Sequence, residues 1–235
     1  MMEYLVNDYC YQRYDNPLIQ EIRLLYHTDE NGKGSLCKVI FHDGTFDTYR
    51  VNTSSAYLQQ YSVPISEDGT IMYVSDWNKG LTAYDTRSGN EIWRIKRPHI
   101  RMTHLFSDYG VTLQTGKSLI QFDCQTGAVR KTLGGEKAGK AIKGMYFLKD
   151  EMVLVYWYLG SACIIDCRSM TVKERIDPAV LNPHDCYSLA ILNAYVKGNK
   201  VIVSGWEQGS MKEPRYKPQH DYERVIFELS DDCAQ

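Results

Sequence analysis

An aspartate-anchored turn recurs along the chain and narrows the folds open to it more than any other signal. It is clearest in AYDTRSGNEIW, residues 83–93, and returns as QFDCQTGAVRK from Gln121 and as IIDCRSMTVKE from Ile164. The anchoring residues Asp85, Asp123 and Asp166 stand roughly forty residues apart, the length of one supersecondary unit in a repeat protein. Each follows an apolar or aromatic stretch and opens a short polar turn ending in Gly89, Gly127 or Met170. The chemistry is that of a hairpin. An aspartate at the first turn position accepts hydrogen bonds from backbone N–H groups two residues on, and glycine takes up positive φ without strain.

The context of the turn repeats as well. DGTIMYVSDWNKGLTAYD, YGVTLQTGKSLIQFD and DEMVLVYWYLGSACIID share one layout of turn, apolar strand, small polar loop, second strand and aspartate. Gly80, Ser118 and Ser161 hold the same place before it. A degenerate version reads GNKVIVSGWE, then a long polar insertion, then YERVIFEL; a fifth lies near the start as IRLLYHTDENGKGSLCKVIF, the turn HDGT and FDTYRV. The stretches IMYV, MVLVYW and VIV are apolar without alternation, as strands covered on both faces are. Four-stranded units covered on both faces by their neighbours are propeller blades, and the pitch divides the chain into about five. The expectation is therefore an all-β, single-domain β-propeller over 1–235, with blades near 1–52, 53–98, 99–139, 140–181 and 182–235. A β-sandwich also has closely spaced turns but would not repeat this one. No segment reads as a convincing amphipathic helix. The last strand candidate, Val225 to Leu229, is followed only by SDDCAQ, which leaves the final blade short of an outer strand. The Tyr-rich stretch from Glu3 to Tyr14 is expected to supply that strand or to begin blade one beside it.

Ala83, Asp85, Ser88, Gly89 and Trp93 fall on the pattern A-x-D-x-x-[ST]-G-x-x-x-W. That pattern resembles the tryptophan-docking repeat of the quinoprotein-like (pyrroloquinoline-quinone-type) β-propellers, with a more distant likeness to WD-like repeats. The resemblance implies that Trp93 is structural and packs one blade on the next. Other copies depart from it: Asp123, Thr126 and Gly127 match with Lys131 in place of Trp, and Asp166 and Ser169 match with Met170 and Glu174 in place of Gly and Trp. Dehydrogenases of that family hold the quinone and a calcium ion beside a vicinal cysteine pair. This chain has no Cys-Cys dipeptide and no acidic cluster resembling a dedicated cation site. No cofactor and no metal are expected, and the likeness points to the non-catalytic scaffolds among such propellers.

The formal net charge of −2 and pI near 6.3 argue against nucleic acid as a partner, since its binders carry a basic field. No apolar run approaches the roughly 20 residues of a membrane span, and the N-terminus lacks the pattern of a secretory signal. The 7 cysteines are irregularly spaced with no CxxC, which suits reduced thiols and a cytoplasmic location.

No phosphate-binding Gly loop, GxSxG elbow or HExxH is present. His184, Asp185 and Cys186 are adjacent, and neighbours in sequence point different ways, so a structural or incidental role is favoured over a shared metal. Cys163 and Cys167 read as buried apolar thiols. The stretch RPHIRMTH gathers Arg97, His99, Arg101 and His104, suited to an anion or acidic partner, with a solvated loop as the alternative. The insertion EQGSMKEPRYKPQHDYE, from Glu207 to Glu223, has the length and composition of a binding loop, or equally of a loose hairpin tip. Tyr is abundant, at 18 residues, and favoured at contact surfaces. The expected partner surface comprises Trp77, Asn78 and Lys79; Arg97, His99, Arg101 and His104; and Trp206, Lys212, Arg215, Tyr216, Lys217 and His220. Its expected occupant is a protein. Carbohydrate is the alternative, stacked on Trp77, Trp157 and Trp206 around one rim. A lyase or hydrolase would need acids, bases or metal ligands converging from several blades. The equivalent positions here are mostly Ser, Asp, Gln and Trp, so the chain is not expected to be an enzyme.

Overall fold

The computed structural model describes residues 10–13, 16–29, 32–51, 63–134, 142–157, 161–184, 186, 188–208 and 220–229. They form sheets of three or four antiparallel strands. The chain falls into two compact units, the first running to Lys131 apart from 115–119, which belong with the remainder in the second.

The first unit begins with a four-stranded sheet of β1 (Cys10–Arg13), β2 (Ile19–Asp29), β3 (Gly32–Phe41) and β4 (Phe46–Val51), in that order. The second sheet is β5 (Ile71–Asp76), β6 (Gly80–Asp85) and β7 (Glu91–Ile95). Its free edge gains a short partner, because Ile65 bridges Met72 and the Tyr73 N–H donates to Pro64 O at 2.9 Å. The third sheet, largely in this unit, orders as β8 (Ile100–Leu105), β9 (Tyr109–Gln114), β10 (Ser118–Asp123) and β11 (Val129–Gly134).

The second unit holds β12 (Ile142–Phe147), β13 (Met152–Trp157), β14 (Ala162–Asp166) and β15 (Thr171–Ile176) in one meander. A three-stranded sheet follows: β16 (Ser188–Lys197), β17 (Lys200–Gln208) and β18 (His220–Glu228). Between the two sheets lies a single helical turn, α1 (Pro178–Leu181), which the sequence did not suggest. Asp177 caps it, accepting from the Ala179 N–H at 2.8 Å, and a proline opens it, the usual chemistry of a helix start.

What the structure describes of the N-terminal stretch is a strand that opens the first sheet. Cys10–Arg13 pairs with β2, Cys10 opposite Leu24 and Arg13 opposite Glu21. Strands adjacent in sequence pair most readily. Residues 3–9 and 14 of the stretch lie outside the described residues.

Strand β5 explains why IMYV does not alternate. Successive side chains point to opposite faces. Met72 and Val74 join a core with Ile19, Ile22, Val39, Phe41 and Val51 of the first sheet. Ile71 and Tyr73 join a different core with Trp93, Ile100 and Phe122, which reaches the third sheet. The second sheet is thus covered on both faces, and each fully buried aliphatic chain contributes about 1.5–3 kcal/mol. In the second unit Leu154, Ile164, Ile191, Val201, Val203 and Ile226 form a third core between the two sheets. Cys37, Cys124, Cys163, Cys167 and Cys186 are buried and not disulfide-bonded. Burial pushes Cys163 and Cys167 up to about 12.

The aspartate turns close as their chemistry requires. Asp85 Oδ1 accepts from the N–H groups of Arg87 and Ser88 at 3.1 and 2.6 Å. Asp123 Oδ1 accepts from Gln125 and Thr126 at 3.1 and 2.9 Å, and Asp166 Oδ1 from Ser169 at 2.8 Å. In the first unit an aromatic ring from the preceding sheet rests on each glycine of these turns. Trp93 lies over Gly127 and donates Nε1–H to Cys124 O at 3.1 Å. Tyr49 lies over Gly89 and donates its hydroxyl to Thr86 O at 3.1 Å. A tyrosine in the first sheet therefore repeats the role of Trp93, a copy of the docking pattern that sequence matching on Trp overlooks. Lys131 stands at the next such position, and the first unit ends there.

Candidate functional site

At one end of the first unit, side chains from three consecutive pieces of chain meet. The β5–β6 turn carries Trp77, Asn78 and Lys79, and is held by the buried Asp76, whose Oδ1 accepts from the Asn78 and Lys79 N–H groups, each at 2.8 Å. Strand β7 runs antiparallel to β6 and so delivers the β7–β8 connection to the same end. There His99 adopts φ 67° and donates its N–H to Trp77 O. A non-glycine residue in that region costs about 1–2 kcal/mol, and here the conformation sets the imidazole against Trp77, ring centroids 4.5 Å apart. Arg101, at the start of β8, places its guanidinium 4.9 Å from the Trp77 ring, within cation–π range. The result is a half-exposed aromatic and cationic surface, with Lys79 and Arg97 in the flanking turns.

The stretch RPHIRMTH is only partly gathered. His104 lies three residues beyond Arg101 on β8, about 10 Å away at the rise of a strand. It sits edge-on to Phe106, centroids 5.0 Å apart, and burial holds its pKa below the usual imidazole value. At the other end of the unit a cleft of about 600 Å³ is lined by Ile65–Asp68, Leu105–Ser107 and Cys124. Its Asp68 is engaged in its own turn, accepting from Ser66 Oγ at 2.6 Å and the Thr70 N–H at 3.1 Å.

A second cluster lies in the second unit around Glu207, whose side chain is 1 % exposed. Strand β17 points Val201, Val203, Gly205 and Glu207 inward. Glu207 and His220 are cross-strand partners at the mouth of the β17–β18 hairpin. His184 arrives from the turn after α1. Glu207 Oε1 faces His184 Nδ1 at 2.6 Å and His220 Nε2 at 2.8 Å, while Oε2 accepts from Arg224 at 2.6 Å. Arg224 also donates to Leu181 O at 2.9 Å and lies 4.1 Å over the Tyr222 ring. Burial opposes ionisation of Glu207, but the bonds from His184, Arg224 and His220 outweigh it and hold the carboxyl below its ordinary pKa. An ionised carboxylate only accepts, so both imidazole nitrogens facing it carry protons in the absence of any other ligand.

Of the residues expected on this side, Lys212, Arg215, Tyr216 and Lys217 lie outside the described residues. Trp206 does not join His220, because it alternates to the opposite face from Glu207. His184 finds its partners across the sheet and not in the adjacent Cys186, which is buried and donates its N–H to Asn182 Oδ1 at 2.9 Å. Glu207 was missed by sequence reasoning. The signal that could have found it is an acid continuing the inward apolar series Val201, Val203, Gly205.

Sheets stacked face to face, with aromatic rings docked on aspartate–glycine turns, define an all-β, propeller-like protein. No family model matches the chain, and neither does any curated protein sequence. Among solved structures, that of BamB from Moraxella catarrhalis, a propeller of pyrroloquinoline-quinone-type repeats, matches with a TM-score of 0.52 at 12% identity. The match takes in 84% of this chain and 57% of BamB, so the chain spans little more than half the length of that neighbour. At this identity the likeness is one of fold.

Proposed function

We propose that the chain is a non-catalytic scaffold of propeller type, with about five blades, one for each described sheet. It binds a protein partner through the surface around Trp77, His99 and Arg101, in a cytoplasm that keeps its buried thiols reduced. The observation that carries the reading is the convergence of Trp77, His99 and Arg101 from separate elements onto one half-exposed surface. Trp and Arg are the side chains most enriched at the energetic centres of protein interfaces. The cations Lys79, Arg97 and Arg101 select an acidic segment as the occupant. No helix among the described residues is long and apolar enough to cross a membrane.

A photo-crosslinking residue in place of the exposed Asn78 should capture a discrete protein from native lysate. The Trp77→Ala/Arg101→Ala variant should lose it while melting with an intact cooperative transition. A capture pattern unchanged by that variant would overturn the assignment, and retention of a glycan instead would move the surface to the carbohydrate class.

A further inference from the structure

We propose that His184, Glu207 and His220 form a binding site for a divalent transition metal, with zinc as the reference ion. The three ligand atoms, His184 Nδ1, Glu207 Oε1 and His220 Nε2, lie within 4.8 Å of one another. Two imidazoles and one carboxylate are a donor set that zinc accepts, at bonds of about 2.0–2.2 Å. Ligand atoms on such a tetrahedral shell are about 3.3 Å apart, whereas the imidazole nitrogens here stand 2.6 and 2.8 Å from Oε1. Relative to Oε1, each ring therefore needs to withdraw by less than about 1 Å. Both have room to do so, since their side chains are 64% and 58% exposed. The protons now directed at Oε1 are displaced as the metal takes the facing lone pairs, a neutral imidazole accommodating this by moving its proton to the other ring nitrogen.

The surroundings favour a ligand role over simple neutralisation of a buried acid. Arg224 supplies a permanent counter-charge for Glu207, through Oε2. Its second bond, to Leu181 O, fixes the guanidinium and with it the carboxylate plane. Oε1 is thereby held toward the two rings, as an outer hydrogen-bond partner orients a ligating carboxylate. Two imidazoles, one from a turn and one from a strand, are focused on that one oxygen. Three protein ligands leave a further coordination position, and the exposure of both rings directs it to water. The positive charge of Arg224 offsets that of the carboxylate, so affinity is moderate and not that of a closed thiolate site.

The test uses the tag-free full-length chain stripped with a chelator and titrated with Zn²⁺ by calorimetry and with Co²⁺ by visible absorption. One equivalent should bind, with ligand-field bands of a site of low coordination number. His184→Gln and His220→Gln should each weaken Zn²⁺ by at least about 100-fold, beyond the cost of losing an outer partner. Because Glu207 is buried and its removal could unfold the sheet, the two exposed histidines carry the decision, each variant first shown to melt like the wild type without metal. Zinc should raise the melting temperature of the wild type and leave that of the double His→Gln variant unmoved. Stoichiometric, histidine-dependent uptake supports the site. Uptake that survives in the double variant, or none in the wild type, overturns it.

Discussion

Gly127→Ala tests the docking of Trp93 directly, because two separable costs meet at one residue. Gly127 has φ +71°, and an added Cβ would stand 2.5 Å from Trp93 Cε3 and 2.6 Å from Cδ2. The backbone conformation alone costs an L-residue about 1–2 kcal/mol. Carbon atoms rest about 3.5–4.0 Å apart, so the indole must shift by about 1 Å. That shift strains its bond to Cys124 O and its edge contact with Phe122, whose centroid is 5.6 Å away. Such overpacking costs about 1–3 kcal/mol, which brings the total to about 2–5 kcal/mol. Gly116 provides the control: its φ is +78° and nothing lies within 4 Å of its added Cβ. Gly116→Ala should therefore lose only the conformational part, about 1–2 kcal/mol. Trp93→Ala should cost about 3–5 kcal/mol, and in that background Gly127→Ala should fall to the Gly116→Ala value. The coupling, about 2 kcal/mol, is read from urea unfolding of the four corners of the cycle by circular dichroism. If Gly127→Ala costs no more than Gly116→Ala, or costs the same with the ring removed, the docking account is wrong.

Two pH-linked outcomes follow from the carboxylates. Glu207→Gln in metal-free buffer leaves the largely buried Arg224, 14% exposed, without its counter-charge and should cost about 3–5 kcal/mol near neutrality. Because the folded pKa of Glu207 is lowered, its contribution is present above the ordinary carboxylate range and is lost as pH falls through the folded value; a wild-type advantage that stays constant into acid would refute this. Asp123 is drawn from 3.8 down to about 2 by Arg130 first and then by the Thr126 bonds. Asp123→Asn should cost about 1 kcal/mol at neutral pH after screening, with the difference closing between pH 3.8 and about 2 in acid-unfolding titrations.

What could be read from residues in order was what contiguous residues decide. The turns at Asp85, Asp123 and Asp166 close through bonds between groups two or three positions apart, so their chemistry is written locally. The unalternated IMYV of β5 announced two covered faces, because a strand facing water on one side would have shown polar residues there. The likeness of Ala83–Trp93 to a docking repeat likewise needed only one stretch of chain.

Other outcomes depended on register and approach, which no local stretch encodes. His99 and Arg101 meet Trp77 because β7 returns the chain to the β5–β6 turn, whereas His104, equally prominent in RPHIRMTH, is carried away along β8 by the rise of the strand. Tyr49 replaces tryptophan in the docking role because a ring over a glycine is what the contact demands. His184, Glu207 and His220 are brought together by a hairpin mouth and a single helical turn across a long insertion. The sequence by itself determined the strands and turns, since backbone hydrogen bonding and face alternation are local; only the tertiary structure decided which polar side chains share a buried oxygen, since that depends on distances between strands far apart in the chain.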